Sequence, residues 1–102
     1  MNGCPFCPLE RLTEWYLEER SGIVVCRDLH DRGYKRRLLV VGSGSRWHRP
    51  REEYTRRELK HLVALGHRIA WELITRGEAS RIAGIDYEVS VMDHYHIQVC
   101  LT

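Results

Sequence analysis

Residue patterning in this chain predicts an α+β fold: a mostly antiparallel sheet of about five strands with one main helix packed on a face. Three observations point there. Short runs of strand formers, bounded by turn residues, sit at both ends of the sequence. One long middle stretch repeats its apolar residues at helical spacing. The closing DHYHIQVCLT alternates polar and apolar side chains with a period of two, as a half-buried strand does.

The elements follow in order. The opening MNGCPFCPLERL holds Pro5 and Pro8 and reads as irregular. TEWYLEE and GIVVCRDL flank Arg20, Ser21 and Gly22 and read as a hairpin. HDRGYKR is a second turn, with Gly33 supplying permissive backbone. RLLVV is a short apolar run suited to a central strand, and GSGSRWHRP is a loop by composition. Thr55 with Glu58 then makes a capping box. Leu59, Leu62, Val63, Gly66, Ile69, Ala70, Leu73 and Ile74 form one apolar helical stripe behind it, and Gly77 suits a C-terminal cap. DYEVSVM and HYHIQVCL are the last two strands. There is no repeat, low-complexity segment or linker, so 1–102 reads as a single domain.

With 102 residues and 43% hydrophobic composition, the chain has enough apolar mass for one modest core, which excludes the disordered class. No apolar run approaches the roughly 18 residues a membrane helix needs. The N-terminus has no apolar signal core, so a cytoplasmic location is expected. Four cysteines in that setting are reduced thiols, and CxxC there means metal or redox chemistry. The formal net charge of +2 is too small to name a partner by itself.

Strand alternation puts His94, His96 and Gln98 on one face of the last strand and Tyr95, Ile97, Val99 and Leu101 on the other, toward the helix. A single histidine there is a solvated strand residue. Two imidazoles and an amide together are a candidate site, because neutral imidazole is both nucleophile and metal ligand. Cys4-Pro5-Phe6-Cys7 presents two thiols at zinc-ligand spacing. His48, in the loop after a strand, is the best isolated third ligand, and the fourth is sought on the histidine strand. A thiol-redox pair is the competing reading, but it lacks the βαβ setting of thioredoxin-like sites. Cys26 and Cys100 lie inside strands and read as small buried apolar residues.

CPFC, a hairpin ending in Asp28, RLLVV, a loop histidine, an amphipathic helix and a terminal HYHIQV resemble the histidine-triad (HIT) superfamily in that order. Gln98 stands where the third triad histidine would be. That variant resembles the nucleotidyltransferase branch, without a second copy of the domain. The resemblance implies a structural Zn2+ on Cys4, Cys7, His48 and His94. It implies His96 as the nucleophile toward the α-phosphate of a nucleotide or nucleotide conjugate, with a covalent nucleotidyl-histidine. Gln98 then donates an N–H to a phosphate oxygen but cannot act as a general acid. Asp28 occupies the place of the acidic residue that holds the ribose, with a solvated strand end as the alternative. Ile23 or Val25 would sandwich the base. The link into the last strand is too short to carry phosphate-gripping residues, so the loop GSGSRWH with Arg46 takes that role. A homodimer along the helix and sheet edge belongs to the same resemblance.

A second class of function comes from charge. Arg32, Lys35, Arg36 and Arg37 cluster at a turn, and Arg46, Arg49, Arg51, Arg56 and Arg57 follow, with Trp47 and Tyr54 among them. Basic residues interleaved with aromatics can grip a nucleic-acid backbone and stack a base. That predicts nucleic-acid-end processing, or a plain binding module with a structural zinc. Glu52, Glu53 and Glu58 counter the patch and favour an ordinary solvated face. His30, His61 and His67 read as surface or packing residues.

Overall fold

The computed structural model describes residues 3–102 and contains β1 (Trp15–Glu18), β2 (Ile23–Arg27), β3 (Arg36–Gly42), α1 (Arg56–Thr75), β4 (Ile82–Val91) and β5 (His94–Leu101). The strands form one sheet in the order β1-β2-β3-β5-β4, with every neighbouring pair antiparallel. This is the expected α+β arrangement. The C-terminal strand β5 lies inside the sheet, between β3 and β4, which is why it is buried along most of its length.

The helix is bounded by local chemistry. The Thr55 hydroxyl accepts from the Glu58 backbone N–H at 3.1 Å, and the Glu58 carboxylate accepts from the Thr55 N–H at 2.8 Å. At the other end Gly77, with φ of 78°, donates to the Ile74 carbonyl, and Glu78 donates to that of Leu73. Those two bonds make a Schellman cap, and only glycine takes the left-handed position freely. Leu62, Leu65, Ile69, Ala70 and Leu73 are the buried face. Leu65 joins the expected stripe, while Leu59, Val63 and Ile74 pack half-buried at its margin. Contact is closest at Gly66, where an added Cβ would meet Val99 Cγ2 at 3.1 Å and Val40 Cγ2 at 3.2 Å.

The sheet therefore has two different faces. Ile23, Val25, Leu38, Val40, Tyr95, Ile97, Val99 and Leu101 meet the helix in the main core. Each fully buried leucine, isoleucine or valine there contributes roughly 1.5–3 kcal/mol. On the opposite face Val24, Cys26, Leu39 and Val41 form a smaller cluster with Cys4 and Phe6 of the N-terminal segment. His94 and His96 are buried on that second face.

Two boundaries differ from expectation. β4 begins at Ile82, four residues before Asp86, because Ile82, Gly84 and Ile85 pair with β5; this short IAGI run carries no polar/apolar alternation to mark it as a strand. Met92 belongs to the turn into β5, not to the strand; Met92 and Asp93 both have positive φ, 50° and 63°, as a two-residue hairpin turn of the primed type requires. No helix among the described residues is long and apolar enough to cross a membrane.

Candidate functional site

The side chains of Cys4, Cys7, His48 and His94 converge, with ligand atoms all within 4.8 Å of one another. His94 Nδ1 lies 3.4 Å from Cys4 Sγ and 3.3 Å from Cys7 Sγ; His48 Nδ1 lies 3.4 Å from Cys7 Sγ. His94 Nε2 is 2.7 Å from the Gly42 carbonyl oxygen. A carbonyl can only accept, so Nε2 carries the proton and Nδ1 presents its lone pair to the sulfurs. This set of two thiols and two imidazoles can hold a metal ion such as zinc. Burial and the adjoining Cys4 thiol push Cys7 up to about 11, so an ion entering here displaces a proton.

Each ligand is placed by a local device. The Cys7 N–H donates to the Cys4 carbonyl at 3.3 Å, closing the tight CxxC turn. The turn is tied to the end of β3 by Gly44 N–H to the Phe6 carbonyl at 2.8 Å and by Leu9 N–H to Ser43 Oγ at 2.9 Å. His48 follows a 3-10 turn over Ser45–Trp47. Trp47 is the nail that holds this turn. Its indole N–H donates to the Ser21 carbonyl at 2.7 Å, and the Trp47 carbonyl accepts from the Tyr54 hydroxyl at 2.7 Å. The indole packs directly against Gly42, where a Cβ would come within 2.1 Å of Trp47 Cγ.

Next to the metal-ligand cluster, on the same face, opens a cavity of about 370 Å3. His96, Gln98 and Asp28 share its wall with Phe6, Leu9, Cys26 and Leu39. Phe6 joins the two halves, because its ring stands edge-on to His94 at 5.3 Å and to His96 at 5.2 Å. His96 Nδ1 approaches the His94 carbonyl at 3.4 Å, which leaves the lone pair on Nε2. Burial holds both imidazoles below the ordinary histidine range, and carbonyl hydrogen bonds from Gly42 and His94 oppose that shift. Gln98 Nε2 donates to Asp28 Oδ2 at 2.9 Å. Asp28 Oδ1 accepts from the His30 N–H at 3.0 Å, and the buried Arg37 guanidinium stands 3.6 Å from Oδ2. A carboxylate accepts about four hydrogen bonds, so these contacts orient Asp28 without exhausting it.

Several sequence expectations change. Arg46 does not line the cavity: its guanidinium stacks over Trp47 at 4.8 Å and reaches the Ser21 carbonyl at 3.5 Å. Ile23 and Val25 face the helix and cannot sandwich a base; Cys26 and Leu39 supply apolar wall instead. His30 lines the cavity, although its turn gave no signal of that. Arg37 and Phe6 were also overlooked; Arg37 was legible from its parity with Leu39, and Phe6 from its place between the cysteines. Trp47 and Tyr54 are buried, so neither offers a face for base stacking. Arg49 pairs with Glu58 at 3.0 Å and Arg51 with Glu88 at 3.2 Å, which neutralises part of the basic stretch. No protein-family model matches the chain, and no curated protein or solved structure does so significantly, so its function has to be read from the geometry of this site.

Proposed function

We propose that this chain is a HIT-like enzyme. It forms or hydrolyses a bond at the α-phosphorus of a nucleoside phosphate compound, through a nucleotidyl-His96 intermediate. The observation that carries the reading is the placement of His96, Gln98 and Asp28 on one cavity, with His96 bonded through Nδ1 so that Nε2 is the free nucleophile.

Nε2 attacks phosphorus in line and the leaving group departs from the opposite side. Water or another acceptor then reverses the displacement. Dividing one difficult substitution into two is the gain of covalent catalysis. The Gln98 amide has two N–H donors. Asp28 takes one, which orients the other for a phosphate oxygen as charge develops there. Asp28 retains acceptor capacity for ribose hydroxyls.

Cys4, Cys7, His48 and His94 would hold a structural zinc. Tetrahedral zinc ligands at about 2.3 Å for sulfur and about 2.0 Å for nitrogen place S and N roughly 3.5 Å apart. The 3.3 and 3.4 Å separations fit that donor set. With all four positions filled by protein, zinc supplies folding energy and no activated water. Held there, zinc would anchor Cys4 and Cys7, and Phe6 between them would stay fixed against His96.

The test is intact-mass analysis in alkaline solution after mixing the protein with nucleoside phosphate compounds, since a phosphorylated imidazole is acid-labile. A nucleotide-sized adduct that disappears in His96→Ala is the expected result. No adduct and no turnover across dinucleoside polyphosphates, nucleotide sugars and nucleotide esters would remove the proposal.

A further inference from the structure

We infer that the cavity takes a nucleoside monophosphate esterified to an apolar aryl group, in preference to a polyphosphate. This rests on the nucleotidyl-transfer reading above and names its substrate class.

The first argument is charge. The cavity wall carries the acidic Glu10 and Asp28, the imidazoles of His30 and His96, and one arginine or lysine among the described residues, Arg27; Arg37 stands behind Asp28 as its counter-charge. Arg27 is already committed, with Nη2 2.7 Å from Asp31 Oδ2. Recognition of di- and triphosphates relies on clustered arginines and lysines or on metal ions that meet several negative oxygens. This wall has no such group to spare. A phosphodiester brings a single negative charge, which the Gln98 amide and the His96 ring can face.

The second argument is the mouth. Leu12, Leu29 and Val91 line the cavity while 65%, 63% and 37% exposed. Met92, next to Val91 in the turn, is 54% exposed. Large apolar side chains left in water around one polar cleft mark the place where an apolar group of a ligand lies.

The third argument is the proton. Gln98 cannot protonate a departing oxygen, so the leaving group has to be stable as an anion near neutral pH. A phenol whose ring carries electron-withdrawing groups, which bring its pKa from about 10 toward neutrality, satisfies both the apolar mouth and the missing acid. His96 Nε2 bonds to phosphorus as the P–O bond to the aryl group breaks, and the phenolate leaves with the electron pair. Water then bonds to phosphorus, the P–N bond breaks, and its electron pair returns to Nε2. The products are the nucleoside monophosphate, phenolate and one proton.

The experiment compares kcat/KM for the p-nitrophenyl ester of a nucleoside 5′-monophosphate with that for a dinucleoside tetraphosphate, using the full chain. It is repeated on Leu29→Arg, an exposed position outside the catalytic residues. The native chain is expected to turn over the aryl ester strongly and the tetraphosphate poorly. Leu29→Arg supplies the missing cation and is expected to shift the ratio toward the tetraphosphate by about tenfold. Tetraphosphate turnover equal to or above that of the ester in the native chain overturns the inference while leaving nucleotidyl transfer intact. An unchanged ratio in Leu29→Arg does the same. Turnover of neither, with no His96 adduct, removes the nucleotidyl-transfer reading and this inference with it.

Discussion

His94 Nε2 donates to the Gly42 carbonyl oxygen at 2.7 Å, and this bond fixes which ring nitrogen faces the two cysteines. Outer hydrogen bonds of this kind set the tautomer and direction of a metal-ligating histidine. The reduced protein is therefore expected to bind about one equivalent of zinc per chain, as one four-ligand cluster provides. Cys7→Ser and His94→Ala each lower the affinity on the order of 100-fold, while His67→Gln leaves it unchanged. Competition with a chromogenic chelator measures all three, and full zinc binding by Cys7→Ser would refute the assignment.

Gly42 is the second test of the same centre. A methyl group there would overlap the Trp47 indole, with contacts between 2.1 and 2.5 Å. Trp47 must then move, and His48 moves with it. Gly42→Ala is expected to destabilise the fold by about 1–3 kcal/mol, the usual cost of overpacking, and to weaken zinc binding as well. Urea unfolding and chelator competition read the two effects separately.

The Asp28–Arg37 pair makes a stability prediction on the cavity side. Arg37 is 6% exposed, and Asp28 is its counter-charge. Asp28→Ala leaves that guanidinium buried without a counter-charge, with only the His30 carbonyl at 3.3 Å to accept from it, and is expected to cost roughly 3 kcal/mol. Denaturant midpoints would show it. A change within experimental error would mean that Arg37 is solvated or that another acceptor replaces Asp28.

Glu58 gives a pH signature. The Arg49 guanidinium, followed by the Thr55 backbone N–H, holds its carboxyl below the usual range. A carboxyl depressed in the folded state adds stability above its unfolded pKa of about 4.3, and that stability is lost as pH falls through the folded value. Glu58→Gln keeps the capping geometry and loses the charge. The variant is expected to be less stable than the native chain at pH 7 and equal to it in strong acid. Thermal unfolding across that range checks the convergence.

How much of this was legible depended on whether the signal was local. The capping box at Thr55 and Glu58 and the cap at Gly77 were readable because each is a contact within a few residues. His94, His96 and Gln98 were readable as one face because a strand alternates. Ile23 and Val25 were misplaced for the opposite reason: β2 is apolar on both faces, so IVVC has no parity to read. Arg46 was misplaced because the 3-10 turn that aims it at Ser21 depends on Trp47 docking against Gly42, a tertiary contact. The convergence of Cys4, Cys7 and His48 was suggested by spacing alone, and His94 joined them through the family resemblance. The place of Phe6 between the cysteines was legible, but the contact of its ring with His94 and His96 is tertiary and was not.

The sheet separates two apolar clusters, and only one of them touches the cavity. The helix side holds most of the buried area and so most of the margin above the folding threshold. The residues that shape the cavity mouth, such as Leu12 and Leu29, stand outside that ledger. Substitutions there can reshape the cavity mouth at little thermodynamic risk, since exposed positions usually change stability by only about 0.5 kcal/mol. The architecture thus makes the chain readily evolvable: the cavity mouth can drift while the foundation stays fixed.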